Sequence, residues 1–245
     1  IDVVYTLGAT VSDLYVNELT DAQPGSFRMG IRTTQSQNVM ARDSFFEFLP
    51  VAHKEAIVSA DAEVAIDNVE FKNASVGLNI SGNPHVSDGT VARVINSRFF
   101  GITIAGILAQ WNDNSVVSDN EFFSCETSVG GDDGATDEGV TGLRIEDNLM
   151  NGGFIGVHFE GTRDSNVSNN VVRNHWRGIF LDAGGVCPVV GDPGCIYATG
   201  NVISGNVATG SYQDLYHHEF ATGNTWTDNI CQTKVGAEIP PCIPP

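Results

Sequence analysis

A short pattern centred on asparagine recurs along the chain at intervals of 22–31 residues. Its copies contain Asn68, Asn96, Asn120, Asn148, Asn170, Asn201 and Asn224. In four copies an apolar strand that begins with Gly follows the Asn by eight to ten residues; these strands begin at Gly77, Gly106, Gly156 and Gly178. A period of this length, made of short strands, predicts a solenoid in which successive turns stack on each other.

Two features of the sequence decide which kind of solenoid is expected. Leucine-rich repeats need Leu at fixed positions, and the copies lack it. Helical repeats need an unbroken period of 3.6 residues, which the 27 Gly and 20 Asn residues interrupt throughout. A parallel β-helix suits both residue types, because its short strands are joined by tight corners. We therefore predict an all-β parallel β-helix of about eight coils, with the Asn residues in the αL conformation at a corner and hydrogen-bonded into a ladder.

Between about residues 10 and 230 the motif N-x-[VIF]-x-x-[NSG], followed by G-[IVL], resembles the repeat of right-handed parallel β-helix proteins. These include pectate-lyase-like enzymes, alginate epimerases, glycosidases of this fold and NosD-like periplasmic proteins. The resemblance implies a right-handed β-helix. It selects no single activity, because lyases, hydrolases, epimerases, adhesins and structural modules share the scaffold.

Charge restricts the partners that this chain can bind. Lys and Arg number 12 and Asp and Glu number 30, which gives a net charge of −18. Such a surface opposes nucleic-acid binding, which needs a basic stripe, and it opposes docking on anionic membranes. The chain also has no apolar run near the ~20 residues of a membrane-spanning helix. We expect neither nucleic acid nor membrane insertion.

The spacing of the cysteines indicates the cellular compartment in which the protein is found. Cys187 and Cys195 flank a loop rich in Pro and Gly, and Cys231 and Cys242 enclose the segment before a Pro-rich end. Both pairs are read as local disulfides of an extracellular or cell-surface protein, the alternative being four unpaired thiols. We expect residues 1–245 to form one β-helix domain that lacks an N-terminal cap, with 231–245 as its disulfide-stapled, Pro-rich C-terminal end.

Strand alternation brings several ionisable side chains into one outward column. Residues two apart on a strand face the same side, so the Gly-led strands align Glu160, Asp182 and His218 on successive coils. Two carboxyls about 5–8 Å apart match the acid and base, or acid and nucleophile, of glycoside hydrolysis. The alternative is a solvated outer face of an acidic protein.

A second outward column lies beside the first. It contains His158, Phe180 and Tyr216, which we expect to contact substrate, with the two aromatic rings and Trp176 forming a floor for sugar rings. Simple alternation places Trp176 inward and its neighbours His175 and Arg177 outward. The same alternation places His217 inward.

β-Helix lyases often use Arg or Lys as the base that removes a C5 proton, which makes Arg177 or Arg163 a candidate base; Arg177 is also a candidate substrate-binding residue. A compact acidic loop offers carboxylates for a cation. Its candidate Ca²⁺ ligands are Asp132, Asp133, Asp137 and Glu138, although the loop lacks EF-hand spacing and is also consistent with a solvated insertion. No cofactor other than Ca²⁺ is indicated.

Two functions are consistent with these residues. The first is a secreted β-helix protein that binds or cleaves polysaccharide, or a cell-surface glycan, on an outward face; as an enzyme it is a hydrolase first and a lyase second. The second is a non-catalytic structural or adhesive module of a surface protein or of a self-associating extracellular filament.

Overall fold

The structure, a computed structural model, describes residues 2–4, 8–17, 28–48, 54–60, 62–81, 91–110, 114–132, 140–184 and 196–245. These residues form strands, turns and bends but no helix. Accordingly, no helix among them is long and apolar enough to cross a membrane.

The strands are short, as the Gly and Asn content predicts. In chain order they are β1 (Asp2–Val4), β2 (Thr10–Ser12), β3 (Tyr15–Asn17), β4 (Arg28–Thr34), β5 (Val39–Glu47), β6 (Lys54–Ala60), β7 (Val64–Lys72), β8 (Val76–Ser81), β9 (Ala92–Ile95), β10 (Arg98–Phe100), β11 (Ala105–Gln110), β12 (Val116–Ser118), β13 (Glu121–Asp132), β14 (Arg144–Glu146), β15 (Leu149–Glu160), β16 (Asn166–Ser168), β17 (Val171–Gly184), β18 (Ile196–Tyr197), β19 (Val202–Ser204), β20 (Val207–Thr209), β21 (Gln213–His217), β22 (Thr225–Thr227), β23 (Ile230–Cys231) and β24 (Lys234–Val235).

Parallel pairing arranges all of these strands except β18 in three sheets, to each of which the turns of the chain contribute segments; β18 pairs antiparallel with the end of β17. The first sheet stacks β2, β5, β7, β9, β12, β14, β16, β19 and β22. The second stacks β3, β5, β7, β10, β13, β15, β17, β20 and β23. The third stacks β1, β4, β6, β8, β11, β13, β15, β17, β21 and β24. The predicted fold, an all-β parallel solenoid, is confirmed, although the number of turns differs slightly from eight.

The interior is filled by like residues stacked on successive turns. Phe46, Phe71, Phe99 and Phe122 are fully buried, and their rings stack at centroid distances of 5.5, 4.7 and 4.6 Å. Each ring removed from water contributes roughly 2 kcal/mol to folding. From β15 onward smaller residues continue the same column: Met150, Val172, Ala208 and Cys231. The parallel register therefore depends on a continuous apolar column.

A buried asparagine ladder follows the corner between the first and second sheets. Its members are Asn120, Asn148, Asn170, Asn206 and Asn229. Each of the first four donates its side-chain Nδ2 to the Oδ1 of the next at 2.9–3.0 Å, and its backbone N–H donates to the same Oδ1. The predicted ladder is present, and it includes two residues, Asn206 and Asn229, that the motif did not contain.

The other Asn residues of the motif occupy different columns. Asn201 and Asn224 form a second ladder at the corner between the third and first sheets, where Asn201 Nδ2 donates to Asn224 Oδ1 at 3.0 Å. Asn68 and Asn96 are exposed and adopt αL, with φ of 54° and 51°. The prediction of one Asn column that is both αL and hydrogen-bonded as a ladder was therefore wrong. In the buried ladder the αL residue precedes the ladder residue, as Asn169 (φ 57°) does, because the bend must come before the side chain can turn inward.

The C-terminal segment closes over the last turn. Cys231 and Cys242 form a disulfide with a Cα–Cα distance of 5.1 Å. Ile243 pairs with Ile230 in a parallel bridge, and its backbone N–H donates to the Asn229 carbonyl. The predicted disulfide at this end is confirmed. Cys187 and Cys195 lie outside the described residues.

Candidate functional site

An aromatic cluster covers part of the outward face of the third sheet. His158 on β15, Phe180 on β17 and Tyr216 on β21 are register partners on successive turns. The His158 and Phe180 rings stack at 4.8 Å and 2° between planes, and Tyr216 meets Phe180 edge-on at 4.7 Å. Alternation predicted this outward direction, and the residues on either side of His158, Val157 and Phe159, are buried as expected.

Arg177 completes this cluster, which we call the outer cluster: His158, Arg177, Phe180 and Tyr216. Its guanidinium carbon lies 4.1 Å from the Phe180 ring centroid and 4.6 Å from that of Tyr216. Its Nε donates to Gln213 Oε1 at 3.0 Å, which fixes the guanidinium plane against both rings. Cation–π contacts of this kind favour a held, partly desolvated Arg over a mobile one.

The members of the outer cluster differ in how much surface they present. Phe180 is only 3% exposed although it points away from the core, because its neighbours in the cluster cover it. His158, Arg177 and Tyr216 are half-buried. A ligand would therefore touch these three residues, with Phe180 beneath them as support.

The two predicted carboxylates, Glu160 and Asp182, occupy adjacent turns beside the outer cluster. They are register partners at the ends of the paired segments of β15 and β17, so their backbones are one strand spacing apart, about 4.8 Å. His218 lies one residue beyond the last register pair, and its backbone N–H donates to the Leu181 carbonyl. Its ring lies 5.7 Å from that of Phe220, whose N–H donates to His218 Nδ1. We call Glu160 and Asp182 the carboxylate pair.

Most of the candidate calcium loop falls outside the described part of the chain. Asp133, Asp137 and Glu138 are not described, and Asp132 is described only as the last residue of β13. Within the described ranges no group of three or more His, Cys, Asp or Glu side chains is arranged to hold a metal ion. Ca²⁺ binding by the acidic loop stays a prediction.

The corner between the second and third sheets carries an exposed aromatic stack that alternation alone did not identify. Phe154, Trp176 and Tyr212 lie on three successive turns and are 49%, 45% and 65% exposed. Trp176 lies 6.2 Å from Phe154 with 1° between the ring planes, and 4.3 Å from Tyr212 with 14° between them. We call these three residues the corner stack.

A backbone bend explains why the alternation fails here. Asn174 adopts αL with φ 59°, and Gly152 has φ 77° at the matching corner one turn earlier. Each bend shifts the alternation by one residue, so Trp176 points outward and His175 is buried at 4% exposure. The expectation of an inward Trp176 and an outward His175 was therefore wrong. The signal available in the sequence was an Asn or Gly three residues after the start of most second-sheet segments, at Gly101, Gly152, Asn174 and Gly210, with Ser124 in the same place on β13.

Burial changes the acid–base properties of two inward residues of this corner. The pKa of His175 falls to about 4, chiefly because burial disfavours the imidazolium, with an opposing contribution from the backbone of Arg173. Burial likewise raises the pKa of the Cys125 thiol to about 12. Both side chains are therefore neutral near pH 7, which fits structural residues.

His217 is inward, as alternation predicted, and in register with Leu181. Its Nε2 lies 3.0 Å from Asn224 Nδ2 and 3.5 Å from Glu238 Oε2. Burial is the largest influence and lowers the pKa of His217, and the nearby Glu238 carboxylate opposes that shift. Two polar partners thus make an inward His acceptable at this end of the solenoid.

Comparison with known proteins first identifies a sequence family. A family model described as "Right handed beta helix region" matches residues 29–213. Comparison with curated proteins gives no sequence match.

Several solved structures are similar in fold. The periplasmic alginate epimerase AlgG has a TM-score of 0.59 and 12% identity, with 94% of this chain and 55% of that chain covered. The alginate lyase from Paenibacillus sp. str. FPU-7 has a TM-score of 0.63 and 15% identity, with 96% and 92% covered. The Acinetobacter baumannii phage AM24 tailspike protein has a TM-score of 0.62 and 14% identity, with 96% and 46% covered. The chain thus spans about half the length of the epimerase and of the tailspike, and identities this low show the fold alone.

Proposed function

The chain belongs to the right-handed β-helix family, and from this premise we propose that it binds or cleaves a polysaccharide on the outward face of its third sheet. The observation that carries the proposal is the outer cluster, in which Arg177 is held over the Phe180 and Tyr216 rings. The carboxylate pair lies on the same strands, β15 and β17. A site that binds or cleaves a sugar chain needs apolar rings, a fixed hydrogen-bond donor and carboxylates in one place.

As a hydrolase, the protein would use the carboxylate pair as its acid and base. Glu160 and Asp182 are register partners on neighbouring turns. One carboxyl would protonate the leaving glycosidic oxygen, and the other would activate water or attack the sugar. Arg177 and Tyr216 would position the ring.

The similar structures support a glycan as the ligand. Two of them are described as an alginate epimerase and an alginate lyase, and a third as a phage tailspike. A lyase is the second candidate activity, because Arg177 is the cation that the structure holds at the outer cluster. Arg163, the other candidate base, pairs with Thr141 and Thr199 at the corner between the third and first sheets and is the weaker choice.

The disulfide bears on the cellular location of the protein. The Cys231–Cys242 disulfide favours an oxidising compartment, so we propose an extracellular or cell-surface protein. A surface location also suits the alternative role, a non-catalytic adhesive or structural module.

The test is depolymerisation of a polysaccharide panel, with and without Ca²⁺, measured as new reducing ends and as absorbance of unsaturated products. Glu160→Gln and Asp182→Asn are the test variants, and Glu121→Gln, which alters an exposed carboxylate paired with Arg98 on the second sheet, is the matched control. Reducing ends that disappear only in the two test variants would support the hydrolase.

The remaining outcomes separate the other candidates. Unsaturated products that depend on Arg177 would support the lyase, and binding without any product would support an adhesive module. A panel that is neither bound nor cleaved would refute the proposed function.

A further inference from the structure

We propose that the corner between the second and third sheets holds a subsite for one pyranose ring of a neutral glycan, in a cavity walled by Phe154. This inference rests on the proposed function and adds a second contact region to it. The cavity has a volume of about 580 Å³, within the roughly 300–1,000 Å³ of small-molecule sites. Among the residues that line it are Phe154, Glu126, Ser124, Thr103, Gly101 and Gly153.

The aromatic wall is the end of the corner stack. Trp176, on the following turn, covers one face of Phe154 in a nearly parallel arrangement. The other cavity residues belong mostly to the two preceding turns, so the cavity faces the opposite side of the Phe154 ring. A sugar ring has a face of C–H bonds that packs against an aromatic ring, and Phe154 is held by Trp176 in a fixed orientation for that contact.

The floor beside this wall is bare backbone. Gly153 has φ 136°, and a Cβ placed there would lie 1.8 Å from the Cys125 carbonyl oxygen. The position therefore requires glycine, and no side chain lies between the Phe154 ring and the adjoining turn. Gly101, two turns before Gly153, has φ 60°, where a side chain would likewise be strained. The cavity is thus maintained by the backbone conformation of two turns.

The polar side of the cavity matches the hydroxyl edge of a sugar. Glu126, Ser124 and Thr103 are all exposed at its rim, where the carboxylate accepts hydrogen bonds and the two hydroxyls donate and accept them. The cavity-lining residues described above include a carboxylate but no cation, and the chain carries a net charge of −18. Like-charge repulsion therefore disfavours a uronate and favours a neutral sugar.

The subsite and the carboxylate pair share a strand, which joins them into one ligand path. Phe154 and Glu160 are both on β15, and Trp176 and Asp182 are both on β17. A glycan seated at the corner would extend across the outer cluster toward the carboxylates.

The experiment measures affinity for soluble glucan, xylan and mannan, with alginate and polygalacturonate as uronate probes. Phe154→Ala removes the wall, Glu126→Gln removes the carboxylate charge, and Thr103→Trp fills the cavity while leaving the wall intact. Tyr15→Ala is the matched control, since Tyr15 is an exposed aromatic, 65% accessible, stacked on Phe45 in the second sheet. We expect the three test variants to bind a neutral polysaccharide about three- to tenfold more weakly, and the control to bind as the wild type does.

The outcomes distinguish this inference from the proposed function. Wild-type binding that Phe154→Ala and Thr103→Trp leave unchanged would refute the subsite and leave the proposed function intact. Binding of uronates in preference to neutral chains would refute the neutral ligand class alone. Absence of binding or cleavage across the whole panel would refute both.

Discussion

The buried asparagine ladder makes Asn170 the sharpest test of how this solenoid is held together. Its side chain is fully buried and makes five hydrogen-bond contacts of 2.8–3.0 Å: Oδ1 accepts from Asn148 N and Nδ2, and Nδ2 donates to the Ile145 and Ser168 carbonyls and to Asn206 Oδ1. Asn170→Ala leaves at least one buried N–H and one buried carbonyl without a partner. At about 1–3 kcal/mol for each such group, we expect a loss of about 4 kcal/mol in the free energy of unfolding.

Two further substitutions calibrate this value. Asn170→Ser should cost roughly half as much, because Ser97 occupies the same column and its Oγ still accepts from Val69 N at 3.1 Å and donates to the Ile95 carbonyl at 2.8 Å. Asn169→Gly is the matched control: this neighbour is exposed and αL, so glycine should change stability by less than about 0.5 kcal/mol.

Urea unfolding followed by circular dichroism measures all three variants, and thermal melting should show a decrease of roughly 10 °C for Asn170→Ala. A loss under about 1 kcal/mol for Asn170→Ala, or one equal to that of Asn169→Gly, would refute the reasoning that the ladder contributes through buried, mutually satisfied amides.

Two other predictions concern buried ionisable residues. The pKa of His175 is about 4 in the folded chain against 6.5 when exposed, so the unfolded state binds more protons between these two pH values. The free energy of unfolding must therefore fall by about 3 kcal/mol as the pH is lowered from about 6.5 to 4. Urea unfolding at these two pH values should show a smaller fall for His175→Leu than for the wild type, and an equal fall would contradict the lowered pKa of His175. Asp214 is fully buried and its carboxylate accepts the backbone N–H groups of Ser211, Gln232 and Thr233 at 2.8–2.9 Å. Asp214→Ala should therefore lower the free energy of unfolding by about 3 kcal/mol or more, and Asp214→Asn by less, as measured by thermal melting; equal melting temperatures for both variants and the wild type would count against it.

The fold could be predicted from the sequence because the same Asn-centred repeat recurs along the chain, so each copy gives the same prediction of short strands and corners. Strand alternation also placed His158 and Glu160 correctly, since their strand is regular from Ile155 onward. The same rule failed at His175 and Trp176, because the αL residue at Asn174 shifts the alternation that Val172 sets by one position.

The asparagine ladder is a second place where side-chain direction could not be predicted from the sequence. Asn169 and Asn170 are identical in type and adjacent, yet one is exposed in αL and the other is fully buried. Composition cannot separate them, because the distinction arises only when the next turn supplies Asn206 as an acceptor. The outer cluster could be expected from strand parity, whereas the corner stack and its cavity depend on backbone bends.

The asparagine ladder also gives the solenoid a direction. In each of the four links from Asn120 to Asn229 the donor is the Nδ2 of one turn and the acceptor is the Oδ1 of the following turn. The same Nδ2 atoms also donate to backbone carbonyls of the preceding turn, so one amide joins the turns on both sides of it. Because hydrogen bonds linked in series strengthen one another, the loss of one ladder residue weakens the links on either side of it.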